Sequence, residues 1–214
     1  SIFLVLFNQA FRYAAEPFFF STQKEDNAKE TYAIVLRYFV FVMVIGLVFI
    51  WAYIDIFKHF IDEKFWEGLH ILPILLIANI MLGINLNISI WYKLIDKTQF
   101  GIIVTGIGLI FTIALNVYLI PKIGYEGAAW ATLVSYSAMT LSSYLFGQRH
   151  YKVNYPVGRI LIYLSLGVVS ILLCNYFSDS TFIAQTLIFI GFVLSLGLLE
   201  KKQLIALKQR VAKK

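Results

Sequence analysis

The sequence predicts an all-α integral membrane protein, a bundle of about seven transmembrane helices with no soluble domain of its own. Three observations carry this prediction. Charged residues make up 14% of the chain and hydrophobic ones 60%, where a soluble domain holds about 25% charged residues. The mean hydropathy is +0.78. The apolar residues also fall into runs close to the roughly 20 that a helix needs to cross the hydrocarbon core.

Seven such runs follow one another, near Ile2 to Phe20, Tyr32 to Ile54, Ile71 to Tyr92, Phe100 to Ile120, Gly127 to Phe146, Gly158 to Phe177 and Phe182 to Leu199. Their connections are short and polar or marked by Gly and Pro, as in 23–27 and 121–127, so consecutive helices are expected to run antiparallel. Residues 1–214 therefore read as a single membrane domain, of which 200–214 form a basic tail. The one cysteine, Cys174, sits inside an apolar run and leaves no disulfide framework. The chain opens on Ser1 and an apolar run with no basic segment before it, which suggests the later part of a longer protein.

The formal charge of +6 is distributed by side. Numbering the connections alternately, one side holds Lys24, Lys29, Lys93, Lys97, Arg149, Lys152, Arg159 and the six basic residues of the tail, against Lys58, Lys64 and Lys122 on the other. Short basic loops stay in the cytoplasm, so the first side and the C-terminus are expected there. The basic balance is thus topology and not a nucleic-acid surface. The tail is amphipathic, and either anchors the topology by lying on anionic lipid or serves as a regulatory site.

Polar side chains inside hydrocarbon are costly and usually face a bundle interior or a cavity. In the first span, Asn8, Gln9, Arg12 and Glu16 share one helical face, with Arg12 and Glu16 a turn apart and able to pair. Two readings stand side by side: a charged cavity wall in which Arg12 binds an anionic group and Pro17 is a hinge, or a structural ion pair near the membrane surface. The third span carries Asn79, Asn85, Asn87 and Ser89, read either as interhelical glue or as sugar-recognising cavity lining. Arg37 is expected to snorkel. In the outer loop, His59, Glu63, Glu67 and His70 would share a face if helical, but the interleaved Phe60, Ile61, Phe65 and Trp66 favour an interfacial helix over a metal site. No catalytic set, metal site or cofactor-binding motif stands out.

Between the fourth and fifth spans, residues 116–132 read Asn-Val-Tyr-Leu-Ile-Pro-Lys-Ile-Gly-Tyr-Glu-Gly-Ala-Ala-Trp-Ala-Thr. Pro121 is expected to end one helix, Gly124 and Gly127 to make the turn, and the small residues after it to allow close packing. This motif resembles the polysaccharide transporter branch of the multidrug/oligosaccharidyl-lipid/polysaccharide flippase superfamily. The segments Phe11-Arg-Tyr-Ala-Ala-Glu-Pro-Phe-Phe-Phe20 and Leu82-Gly-Ile-Asn-Leu-Asn-Ile-Ser-Ile-Trp-Tyr-Lys-Leu94 resemble a bacterial subgroup of that branch. The resemblance implies a two-lobed transporter of about fourteen helices, with this chain as helices eight to fourteen of a MATE-like fold in the bacterial inner membrane. Its function would be to flip undecaprenyl-pyrophosphate-linked oligosaccharide by alternating access, alongside a polysaccharide polymerase and chain-length proteins, in cell-surface polysaccharide and O-antigen synthesis. By position, Arg12, Glu16 and Gln9, then Asn85 and Asn87, match the substrate-binding role. The alternatives are a cation-coupled multidrug exporter of the same superfamily, a membrane glycosyltransferase or polymerase of the polysaccharide pathway, and a non-transporting scaffold. The exporter would want unpaired intramembrane acids, and the enzyme a large outer loop or an acidic metal site.

Overall fold

The computed structural model describes residues 2–177 and 182–211. Nine α-helices are seen among the described residues: α1 (Ile2–Thr22), α2 (Ala28–Ala52), α3 (Ile54–Phe57), α4 (Leu72–Ile88), α5 (Ile90–Leu94), α6 (Gln99–Ile123), α7 (Tyr125–His150), α8 (Val157–Tyr176) and α9 (Phe182–Val211). Two 3-10 segments, Lys58–Phe60 and Glu63–Ile71, join α3 to α4. There is no strand among the described residues. Of the basic tail, residues 212–214 and the side chains of 202–211 lie outside what is described.

Each of the seven expected spans is a helix, but among the described residues five segments are long and apolar enough to cross a membrane: Ala28–Ala52, Glu63–Leu94, Gln99–Ile123, Val157–Tyr176 and Phe182–Lys201. The other two long helices, α1 and α7, have 21 and 26 residues. Their hydropathy is lowered by Asn8, Gln9, Arg12 and Glu16 in α1, and by a Ser/Thr ladder from Thr132 to Ser143 in α7. That ladder closes on itself and on neighbours. Ser135 and Thr140 donate to the carbonyls one turn back, Thr140 also donates to the Met81 carbonyl of α4 at 2.8 Å, and Thr112 of α6 donates to Ser135 at 3.0 Å. Hydroxyls paired in this way tie helices together where water is absent.

The helices succeed one another across the bundle as α6, α7, α4, α2, α8, α9, with α1 laid over α4 and α2. At the centre, α2 is apolar nearly all round, as suits a helix with protein on one flank and an apolar exterior on the other. Its Leu36, Val40, Val44, Leu47 and Val48 are wholly buried, against Leu76 and Ile80 of α4, Tyr163 and Ile171 of α8, and Leu196 of α9. The outer helices are the reverse: Ile102, Ile110 and Val117 of α6 and Leu198 of α9 are 68–77% exposed. An apolar exterior of this extent is what a bilayer covers.

Two local details depart from expectation. Pro121 does not end its helix; α6 runs through it to Ile123, and the corner is made by Gly124 alone, at φ +59°. Gly127 lies inside α7, where a Cβ would stand 2.7 Å from the Leu119 carbonyl carbon, so its missing side chain is what lets α7 fold back against α6. The third span is likewise interrupted. At Ser89, ψ flattens to −8° between α4 and α5, while Asn87 and Ser89 hydrogen-bond to the carbonyls of Gly83 and Leu86 on their own helix. Side chains that back-bond in this way compete with the helical ladder and bend it.

Gly127→Ala is therefore expected to lower thermal stability by about 1–3 kcal/mol, the range for overpacking against fixed atoms. Gly106→Ala, where a Cβ meets nothing within 4 Å, is expected to leave the melting temperature of the detergent-solubilised protein unchanged or slightly raised.

Candidate functional site

The polar residues of the bundle gather at one end, where α1 meets α2, α5 meets α6, and α7 meets α8. Short contacts between these turns hold that end together. Gln23 donates to the Leu94 carbonyl at 2.7 Å, Lys29 lies 4.7 Å over the Tyr151 ring, and His150 stacks on Trp91 at 5.6 Å. Trp91 is buried and donates to the Ser143 carbonyl. With Phe100 and His150 it makes an aromatic block on which the α4–α5 break is seated.

Against that block opens a cleft between α1 and α4–α5, lined by Arg12, Glu16, Asn87, Ser89, Tyr92 and Lys93 among others. Glu16 pairs with Lys93 at 2.6 Å rather than with Arg12. The reason is geometric: the α4–α5 break carries Lys93 across to α1. Arg12 forms no ion pair among the described residues and lies 5.4 Å from the ring of its neighbour Tyr13. Both ends of the Glu16–Lys93 pair are about a third exposed, so the pair stabilises little and orients more. The cleft therefore presents one uncommitted guanidinium beside a neutralised carboxylate.

The other polar residues of the α1 stripe and of α4 are placed differently. Asn8 is buried and donates to the Asn79 carbonyl at 2.9 Å, joining α1 to α4, while Gln9 is exposed and lies away from the cleft. Asn87 lines the cleft, and Asn85 lies in the interior; the side-chain oxygen of each is buried without a hydrogen-bond partner. Asn79 back-bonds to Leu75. Helix α1 continues unbroken through Pro17.

A second charged group occupies the same end. Glu200 of α9 is 1% exposed. Its carboxylate accepts a hydrogen bond from the Tyr163 hydroxyl and faces Arg37 at 3.3 Å and Arg159 at 3.5 Å. The Arg37 contact is close in distance but poorly aligned, leaving the Arg37 Nε and the Glu200 Oε2 without a formal hydrogen bond. Arg37 does not snorkel, because a carboxylate of α9 meets it inside the bundle, and it is itself 6% exposed. Glu200, read as the start of a basic tail, is instead part of the packed bundle. The only sequence signal for it is that no other acidic residue follows Asp179.

The opposite end carries the loop of residues 53–71. There Asp55 hydrogen-bonds to Lys58 at 2.6 Å, which holds its carboxyl below the ordinary carboxylate range. The segment forms 3-10 turns around an extended Ile61, so His59, Glu63, Glu67 and His70 do not stack at α-helical spacing. His70 pairs with Glu126 of α7 at 2.9 Å, and His59 with the Asp55 carbonyl. No group of three His, Cys, Asp or Glu forms among the described residues.

Comparison with protein-family models, curated proteins and solved structures gives no match to this chain.

Removing one partner of a buried ion pair strands the other, at a cost of about 3–5 kcal/mol. Glu200→Gln is accordingly expected to lower the unfolding temperature in detergent far more than Arg159→Gln, whose side chain is 42% exposed. Equal, small shifts for both would mean that Glu200 is not holding Arg37.

Proposed function

We propose that this chain is one lobe of a transporter that flips a lipid-linked oligosaccharide across the bacterial inner membrane, with its C-terminus in the cytoplasm. The observation that carries the reading is the α1/α4–α5 cleft. It is a polar pocket at the charged end of the bundle, with the guanidinium of Arg12 free of any carboxylate among the described residues. A pyrophosphate needs cationic donors, and an arginine offers a fork of them at fixed geometry. The amide of Asn87 and the hydroxyl of Ser89 on the same wall suit the hydroxyl groups of a sugar. The lipid tail needs no pocket, because the bilayer solvates it. The resemblance of the 116–132, 11–20 and 82–94 segments to polysaccharide transporters supports the same assignment. No covalent step is required, only differential binding in two conformations.

The cation-coupled exporter is the rival within the superfamily. It requires an intramembrane acid able to take up and release a cation, and the two acids placed deepest at this end are both engaged. Glu16 is paired with Lys93, and Glu200 with Arg37 and Arg159. That disfavours coupling through either.

The test is complementation. The full-length protein is expressed in a bacterium lacking its own O-antigen flippase, and surface polysaccharide is probed. Arg12→Gln is expected to cut surface polymer at least about tenfold, the loss of one charge-assisted contact, with membrane insertion unchanged. Normal polymer in Arg12→Gln would remove this residue from the substrate path, and absence of polymer with the unmodified protein and its native glycan would favour the exporter.

A further inference from the structure

On the far side of the same end of the bundle lies a second pocket, separate from the α1/α4–α5 cleft. It is lined by Lys29, Glu30, Arg37, Lys152, Asn154 and Pro156, with two aliphatic side chains between them. Residues 152–156 have no helical structure and bridge α7 to α8. Neighbouring residues of this bridge face opposite ways: Asn154 and Pro156 line this pocket, while Tyr155 between them, with Val157 at the start of α8, lines an apolar groove between α2, α4, α7 and α8. The chain thus separates a cationic recess from a greasy one.

We propose that the cationic recess binds a phosphate group, that of an anionic phospholipid headgroup. Its charge is favourable. Lys29, Lys152, Arg37 and the adjoining Arg159 face two carboxylates, Glu30 and Glu200, so cations exceed anions by two. Arg37 is more than nine-tenths buried, and its Nε has no hydrogen-bond partner. A buried donor left unmet is costly unless something from outside meets it. Pro156 is also the N-cap of α8, so the positive end of a 20-residue helix abuts the recess. Depth points to a lipid. Lys29 and Glu30 stand in the first turn of α2, and 152–156 immediately precede α8. Both helices are apolar enough to cross a membrane, and the first turn of a helix that does so falls at the level of the headgroups. This inference concerns a different pocket from the proposed transport cleft and does not depend on what that cleft carries.

The test uses the full-length protein in detergent with phosphatidylglycerol or phosphatidylcholine added, counting bound lipid by native mass spectrometry. Three forms are compared: the unmodified protein, Lys29→Gln/Lys152→Gln, and a control, Lys24→Gln/Lys97→Gln. All four lysines are exposed, and the control pair lies on the same side but outside the recess. Phosphatidylglycerol is expected to bind in preference to phosphatidylcholine, and the recess variant to bind it about tenfold or more weakly, since a lysine at an anionic surface contributes about 1 kcal/mol. The control variant is expected to keep the preference. Inorganic pyrophosphate is added as a competitor. If it fails to displace the lipid, the lipid headgroup is the ligand; if it displaces the lipid at equimolar level, the recess recognises phosphate but a soluble phosphate compound is its source. Equal binding of the two lipids, or an equal loss in both variants, would overturn the proposal.

Discussion

Helix α2 is the hub of the bundle: its Leu36, Val40, Val44, Leu47 and Val48 are wholly buried, and α1, α4, α8 and α9 all pack on it. Its remaining flank, with Val42 and Phe49, is apolar and exposed, a surface that lipid can cover. The order of helices around it follows from which of its faces each one covers. Glycines at the crossings make the approach possible. A Cβ on Gly83 would strike Phe39, and one on Gly167 would come within 2.7 Å of Val44, so α4 and α8 each come close to α2 through a residue that has no side chain.

Charge is then sorted by what α2 leaves available. The single arginine within the apolar length of α2 is more than nine-tenths buried, and the bundle answers it with a carboxylate from α9. The same end of the molecule holds the Glu16–Lys93 pair and the two cationic recesses, while the other end is finished with aromatic contacts such as Tyr53 on Phe182 and with the His70–Glu126 pair. One end is therefore chemically dense and the other mostly a seal. A molecule so divided meets the two faces of a membrane differently.

Much of the fold was legible because hydrophobic run length and loop punctuation are local properties. The helices over 32–54, 100–120 and 158–177 lie within a few residues of where the sequence places them, and the Gly124 corner is where the Pro/Gly motif puts a turn. What the sequence could not show was which side chain meets which. On a helical wheel, Arg12 and Glu16 are neighbours; in space, a bend at Ser89 delivers Lys93 to Glu16 first. Gln9 shares a face with Asn8 by spacing, yet the crossing angle of α1 buries one and exposes the other. Arg37 looks like a snorkelling residue because its partner is far along the chain, and a lone acid among lysines gives no hint of burial. The periodicity of 3.6 tells which residues share a face, and only packing tells what that face meets.

The Glu200 contact also sets a sequence of events in time. Chains are made from the N-terminus at about 5–20 residues per second, so Arg37 enters the membrane on the order of ten seconds before its carboxylate exists. During that interval α2 holds an unanswered cation, and α8 then brings a second, Arg159, to the same place. The charge is answered only when α9 arrives and brings Glu200 to the two arginines. Assembly of these helices thus has a late step with a definite chemical identity: the neutralisation, by α9, of a charge that α2 carried in.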